Sequence, residues 1–228
     1  MLDVQGVTRN FTTGSDRLDV LRGVDLSIDR GEIVAIVGPS GVGKSTLLHI
    51  MGALDEPTGG KVLLDGTDVF AMGESERAGF RNKTVGFVFQ FHHLMRELTA
   101  LENVMMPCLI AGAPRGRAAD RAEELLRAVH LDERMHHRPG ELSGGEEQRA
   151  AVARALANDP LIVLADEPSG NLDRDSSAEL HDLIWSLRDS MDQTFVIVTH
   201  NPELWGRADR VIALDHGRAR DATEDAPN

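Results

Sequence analysis

The chain has 228 residues, of which 41% are hydrophobic and 27% charged, as is usual for a globular protein with one substantial core. Its formal net charge of −13 disfavours a protein whose main task is to grip a nucleic-acid backbone, and its single cysteine excludes an internal disulfide framework. No apolar run approaches the roughly 18 residues that a membrane-spanning helix needs. The first residues lack a basic start followed by an apolar block, so we expect no secretory signal.

The first 90 residues predict short strands on either side of a glycine-rich loop. Apolar runs and polar turn residues predict strands at 2–7, 24–28, 32–37, 61–64 and 85–89, with a polar turn at 12–16 and a helix at 44–51. The continuous apolar run at 32–37 is typical of a strand that is covered on both faces.

Helical spacing dominates from about residue 100 to 157, with a break at Pro114-Arg115-Gly116. Alternation then resumes, with predicted strands at 161–165, 195–198 and 211–214 and a helix at 176–187. Strands that alternate with helices indicate an α/β fold with a parallel sheet and a ligand site at the carboxyl ends of its strands. We expect a frayed polar tail from residue 221.

Residues 38–45 fit the P-loop pattern completely. The glycines let the main chain curl so that its N–H groups point at phosphate oxygens, and the helix that follows presents its positive dipole end to the same anion. Lys44 is expected to neutralise the β- and γ-phosphates, and the Ser45 hydroxyl is expected to ligate Mg²⁺. The alternative is a glycine-rich turn that merely caps a helix. The predicted ATP-binding residues are Phe11, Gly38, Pro39, Ser40, Gly41, Val42, Gly43, Lys44, Ser45 and Thr46.

A second half of this site is predicted at the end of the strand at 161–165. Asp166 would lie at the carboxyl edge of the sheet, where it can hold the Mg²⁺ shell. Glu167 follows it and is placed to activate the attacking water as a general base. Two acidic residues that cap a buried strand would look the same without the P-loop.

A third motif is formed by Leu142, Ser143, Gly144, Gly145 and Glu146, followed by Gln148 and Arg149. Ser143 and the glycines open a helix and so create a second anion-binding helix start, although Ser143 and Glu146 also read as a capping box. Because the chain already has one P-loop, the second start would serve the γ-phosphate of another copy in a symmetric dimer. This motif resembles the signature sequence of ABC ATPases, and the resemblance extends to about residue 220.

The resemblance implies the fold and further site residues. The fold would be a P-loop NTPase with a mostly parallel core sheet, an N-terminal antiparallel β subdomain and a helical subdomain at about 91–157, all within one nucleotide-binding domain. Gln90 resembles the Q-loop glutamine, a ligand of Mg²⁺ or water, and Asp173 the D-loop residue that acts across the dimer. His200 resembles the switch histidine at the γ-phosphate. Phe11 resembles the residue that stacks on adenine, although tyrosine is commoner there; Val42 and Glu147 also depart from the usual residues.

Within the family, the chain is most similar to ATPase subunits of bacterial lipoprotein-releasing systems. The stretches 90–94 with 99–104, 137–139 and 167–173 carry this likeness, as does the length of the turn at 14–19. It implies a peripheral homodimer at the cytoplasmic face of the inner membrane, working beneath two integral membrane subunits. We expect residues 91–98 to receive a short helix of such a subunit, with Leu94 and Met95 exposed. A metal site at His92-His93 is not expected without carboxylate or cysteine neighbours.

Three alternatives stay open on the sequence. The first is the ATPase of a related system, such as a cell-division regulator or an efflux pump. The second is an ABC ATPase that acts on DNA or the ribosome, which the charge of −13 disfavours. The third is a P-loop kinase of small molecules, against which the signature sequence speaks.

Overall fold

Strands and helices alternate along most of the chain in the computed structural model, which describes residues 1–13 and 16–225. The strands among these residues are β1 (Leu2–Thr13), β2 (Asp16–Ile28), β3 (Ile33–Val37), β4 (Gly59–Leu64), β5 (Thr67–Asp68), β6 (Val85–Phe89), β7 (Ile162–Asp166), β8 (Thr194–Val198), β9 (Arg210–Asp215) and β10 (Arg218–Asp221). The α-helices are α1 (Lys44–Met51), α2 (Glu74–Thr84), α3 (Ala100–Ile110), α4 (Arg115–Ala128), α5 (Gly144–Ala155), α6 (Arg174–Met191) and α7 (Pro202–Trp205). None of these helices is both long and apolar enough to cross a membrane.

The chain divides into two units. Unit 1 comprises Met1–Ala78 and Thr194–Asn228, and unit 2 comprises Gly79–Gln193. The predicted helical subdomain at about 91–157 falls inside unit 2, which also contains β6 and β7. Its boundaries stay a prediction.

Unit 1 contains the antiparallel sheet that the sequence predicted, with strand order β2-β1-β4-β5. Leu2 and Val4 alternate onto its buried face, and a register shift between Val4 and Val7 returns Val7 to that face. Both strands of the β1–β2 hairpin are longer than predicted, because their polar outer residues pair through the main chain. Residues 16–19, expected in a turn, belong to β2, whereas residues 14 and 15 lie outside the described part.

A second sheet region of unit 1 has β3 at its centre. β8 and β9 flank β3 in parallel, and β10 pairs antiparallel with β9. Residues 33–36 of β3 are fully buried, which explains the continuous apolar run. The frayed tail predicted from residue 221 is wrong as far as residue 225, because Asp221 ends a strand and Ala222 is buried behind it.

Unit 2 combines the parallel pair β6–β7 with helices α3 to α6. A Cβ at Gly86 would lie 2.3 Å from the carbonyl oxygen of Ala155, so only glycine lets α5 approach β6 this closely. The predicted break before α4 is shorter than expected, since Arg115 already begins the helix after Pro114. Helix α2, which the sequence did not predict, buries none of its side chains and therefore lacks an apolar stripe.

Candidate functional site

The loop between β3 and α1 has the curled main chain of a phosphate cradle. Gly38 and Gly43 have φ values of 150° and 108°. A Cβ at Gly38 would lie 2.2 Å from the carbonyl oxygen of Leu214, and one at Gly43 would lie 2.7 Å from Val20 Cγ1. The loop is thus enclosed by β2 and β9 of unit 1, and glycine is required by both conformation and space.

The charges at this loop suit a polyphosphate. The ammonium of Lys44 donates to the carbonyl oxygens of Gly38 and Pro39 at 2.8 and 3.0 Å, which holds it across the loop. In the described part of the chain, no side chain caps the amino end of α1 and no acidic residue lies in its first turn. The main-chain N–H groups at Ser45 and Thr46 therefore belong to an uncapped, electropositive helix start, as phosphate binding requires.

Unit 1 places two further predicted residues near this loop. β3 and β8 pair in parallel with Ile36 opposite Val198, so Gly38 and His200 both follow the carboxyl ends of neighbouring strands. Phe11 pairs with Leu18 across the hairpin, two residues before the Val20 that contacts the loop. The Phe11 ring is 40% exposed, and the Arg9 guanidinium lies 4.6 Å from its centroid.

Unit 2 brings Gln90, Asp166 and Glu167 to one sheet edge. Phe89 and Asp166 are opposite each other in the β6–β7 register, so Gln90 and Glu167 leave neighbouring strands side by side. The first four residues of β7 are buried, whereas Asp166 is partly exposed at the edge. Carboxyl ends of parallel strands are where such sheets bind ligands.

The turn after β7 is tightly built. Glu167 has a φ of 47°, a left-handed conformation that is uncommon for residues other than glycine, and its carbonyl accepts the N–H of Gly170 at 2.9 Å. The Gln90 amide packs on Gly170, where a Cβ would lie 3.0 Å from Nε2. Gln90 Nε2 donates to Asn171 Oδ1 at 3.0 Å, and Asn171 Nδ2 donates back to the Gln90 carbonyl at 3.1 Å. The Gln90 carboxamide is therefore fixed with its nitrogen turned to Asn171.

The signature residues form the capping box that the sequence predicted. Ser143 Oγ accepts the N–H of Glu146 at 3.2 Å, and Glu146 Oε2 accepts the N–H of Ser143 at 2.7 Å. This main-chain hydrogen bond, assisted by Arg134, lowers the pKa of Glu146 from its ordinary value. Ser143 and Gly144 are exposed, whereas Gly145 packs against Ser176. The exposed Ser143 hydroxyl therefore lies at the amino end of α5.

Asp173 caps α6. Its carboxylate accepts from the N–H and the hydroxyl of Ser176 at 2.9 and 2.7 Å, and these bonds lower its pKa. The turn before it is anchored from within the unit, because buried His181 Nε2 lies 3.0 Å from Ser169 Oγ. Sequence analysis did not single out His181, which looks like one more polar residue on a helix.

Residues 91–98 depart from the prediction in one respect. Leu94 is buried, with 7% exposure, so the expected exposed pair Leu94–Met95 is wrong. In an irregular loop no periodicity tells which side chain turns inward. The exposed apolar residues are instead Met95 and Phe91, at 47% and 62%.

Beside these residues is a depression of about 600 Å³. It is lined by His92, Arg96, Arg138, Pro139, Gly140, Glu141 and Glu147. His92 Nε2 lies 2.8 Å from Glu147 Oε2, and Glu141 accepts the Arg138 N–H at 2.7 Å, so both acidic groups are already engaged.

Asn103 fixes the far end of this loop and was missed as a site residue. Its side chain is 1% exposed, accepts the N–H of Met95 at 2.7 Å, and donates to the carbonyls of Met95, Leu98 and Thr99. Asn103 belongs to the stretch 99–104 that carries the family likeness, which is the signal that could have identified it.

Comparisons with known proteins agree with this geometry. The ABC transporter family matches residues 21–170. The lipoprotein-releasing system ATP-binding protein LolD of Bacteroides thetaiotaomicron is 55% identical over 217 residues, covering 95% of this chain and 98% of that protein. LolD of Geobacter metallireducens is 53% identical over 218 residues, covering 96% and 97%.

A solved structure extends the comparison to the fold. The ATP-binding cassette MJ0796, in a dimeric post-hydrolysis state bound to ADP and Pi, superposes with a TM-score of 0.88 at 38% identity, covering 97% of both chains. The α/β fold with its antiparallel amino-terminal sheet is confirmed by this likeness. With the P-loop and the signature helix in place, the chain belongs to the ABC transporter family of ATP-binding proteins, and it is an ATP hydrolase of that family.

Proposed function

We propose that this chain hydrolyses ATP in a dimer of two copies and thereby drives the release of lipoproteins from the bacterial inner membrane. The observation that supports the cargo is near-full-length identity above 50% to ATP-binding proteins named for lipoprotein-releasing systems. A cell-division regulator or an efflux pump is not favoured by these relatives. The peripheral position at the cytoplasmic face of that membrane is part of the same proposal.

The proposal of a dimer is supported by two helix starts in a chain that has only one P-loop. The amino end of α1 with Lys44 suits the phosphates of one nucleotide, and the exposed amino end of α5 with Ser143 suits a second anion. A γ-phosphate held by the P-loop of one copy would accept a hydrogen bond from Ser143 of the other. The dimeric state of MJ0796 supports this arrangement.

The residues fit Mg²⁺ as the accompanying ion. Because Gln90 turns its nitrogen to Asn171, its amide oxygen is left as a ligand. The other ligands that we propose, the Ser45 hydroxyl and the Asp166 carboxylate, also offer oxygen atoms, which Mg²⁺ prefers. When bound, the ion would neutralise charge on the phosphate oxygens. Glu167 would accept the proton of the attacking water, His200 would contact the γ-phosphate, and Phe11 would offer its ring to adenine.

The partner surface that we propose comprises Phe91, Met95 and the adjoining depression. It would receive a short helix of an integral membrane subunit, with apolar residues against Phe91 and Met95. Because the acidic groups of the depression are engaged within the chain, Arg96 and Arg138 favour a helix that also presents a carboxylate.

The cargo is tested with the chain co-assembled with its native membrane subunits in vesicles that carry a labelled lipoprotein. We expect ATP-dependent transfer of the lipoprotein to a soluble acceptor. A complex that hydrolyses ATP at a normal rate and releases no lipoprotein would overturn the cargo assignment while leaving the ATPase in place.

The partner surface is tested by charge substitution. Met95→Asp should keep the wild-type melting temperature and lose capture of the membrane subunits, because a carboxylate replaces an apolar contact. Ile110→Asp is the matched control, an exposed apolar residue of the same unit outside the segment, and should retain capture. Buried Leu94→Asp should instead lower the melting temperature. Undiminished capture by Met95→Asp places the docking surface elsewhere.

A further inference from the structure

The main-chain carbonyls around Gln90 are held by side chains of unit 2. Gln148 Nε2 donates to the Phe89 carbonyl at 2.8 Å. Arg154 donates through Nη2 to the His92 carbonyl at 2.8 Å and through Nη1 to the His93 carbonyl at 2.7 Å. The segment 89–93, which includes Gln90, is thus held by hydrogen bonds on both sides of that residue.

Both gripping residues lie on α5, the helix that begins at Ser143. Gln148 is 2% exposed, and Arg154 is half-buried with its fork turned to the two carbonyls. Burial lowers the pKa of Arg154, but an arginine keeps its charge at neutral pH. Its two hydrogen bonds are therefore charge-assisted and fix the loop in two directions, which a lysine with its point charge does not reproduce.

We infer that Arg154, together with Gln148, is a positioning residue for ATP hydrolysis. It holds the Gln90 segment in a fixed position relative to α5, the helix that begins at the signature residues. This inference rests on the proposed role of Gln90 at the nucleotide. A shift of α5 would move the carbonyls of residues 89, 92 and 93 with it, and so would change where the Gln90 amide lies. The helix start that serves the nucleotide of the partner copy and the glutamine that serves the chain's own nucleotide then move as one body.

The inference is tested on the purified full-length chain by measuring kcat and KM for MgATP together with the melting temperature. Arg154→Met should lower kcat at least about tenfold, since small misplacements of a positioned group are costly. KM should stay within about twofold, because the P-loop belongs to unit 1. Arg154→Lys should be intermediate. The control is Arg121→Met. Arg121 is an arginine of unit 2 whose side chain is 20% exposed and is paired with Glu124 and Asp159. The kcat of this variant should stay within about twofold of wild type at temperatures where the variant is folded.

A double-mutant cycle separates positioning from general stability. In a Gln90→Ala background, Arg154→Met should add less than about a twofold loss of kcat, because residues that act through one another are not additive. Losses that multiply would overturn the inference and leave the function intact. If Gln90→Ala alone keeps the wild-type kcat, the role of Gln90 and this inference both fail. Should Arg154→Met not fold, the same cycle with Arg154→Lys decides.

Discussion

At the scale of single residues, the turn after β7 contains a strained main-chain conformation at the candidate site. Glu167 adopts φ of 47° and is followed by a main-chain hydrogen bond back to its own carbonyl. Such a conformation costs about 1–3 kcal/mol and persists only where surrounding contacts impose it. Here Asn171 and Gln90 lock the turn through two reciprocal hydrogen bonds. The strain lies at the residue that we propose as general base.

Glu167→Gln should preserve this turn and still bind ATP, because the amide has the same size and shape. Hydrolysis should fall on the order of 10²- to 10⁴-fold, since the amide does not take up the proton of water. The unhydrolysed ATP should hold two copies together, so size-exclusion chromatography with MgATP should show a dimer. Glu123→Gln, at a partly exposed carboxylate of the same unit that pairs with Arg127, serves as the control. Turnover of the Glu167 variant at the wild-type rate would sink the general-base assignment.

At the scale of elements, the bounds of a helix or strand could be predicted where glycines or an apolar run mark its ends in the sequence. Helix α1 and strand β6 begin and end where the sequence placed them, because the glycine loop and the apolar run of five mark their ends. β10 was not predicted, because Arg218–Asp221 is mostly polar and has no apolar run, and its pairing with β9 is a long-range contact. The contacts of Arg154 and Asn103 are long-range or irregular, and no local pattern reveals which carbonyl a side chain will reach.

Three helix starts carry carboxylate caps whose charge stabilises the fold. Main-chain N–H groups of Thr99, Ser143 and Ser176 lower the pKa of Glu102, Glu146 and Asp173, respectively. Because the folded values lie below the unfolded ones, this stabilisation is complete above the ordinary values of 4.5 and 3.8 and is lost as pH falls through the folded pKa.

We therefore expect the melting temperature to fall as pH drops below about 4.5. Glu146→Gln should melt lower than wild type at pH 7, because it loses the charged cap, and the two melting temperatures should converge as the pH falls through the lowered pKa of folded Glu146. Thermal melts across this range measure the difference. A gap that does not narrow as the pH falls below the ordinary value of 4.5 contradicts a contribution from charge.

At the scale of the whole molecule, we propose that two helix starts of each chain bind phosphate, and one copy is expected to complete the site of another. The sequence alone already predicts this arrangement, since a chain with one P-loop and a separate signature helix needs the nucleotide of a second copy. The sequence did not predict the hydrogen bonds by which Gln148 and Arg154 of α5 hold the Gln90 segment.

Mixed dimers test whether Ser143 of one copy acts on the nucleotide that is bound by the other copy. Ser143→Arg should be inactive because a bulky cation blocks closure on the partner's nucleotide, and Lys44→Ala should be inactive because the phosphate charge is left uncompensated. In a mixture, the heterodimer has one composite site with both lesions and one intact site. ATPase activity in the mixture that neither variant shows alone supports action in trans. A mixture as inactive as its parents contradicts independent sites acting in trans.

The hydrogen bonds that hold residues 89–93 also have a consequence for how such a subunit can evolve to bind a different membrane protein. The hydrogen bonds from Gln148 and Arg154 end on main-chain carbonyls, which every amino acid supplies. Side chains at 91, 95 and 96 are therefore not needed to keep that anchorage. Their identities are open to variation, by natural drift or by design, while the backbone they stand on keeps its register. Such an ATPase can acquire a new membrane partner through substitutions at its exposed residues, without any change at the nucleotide site.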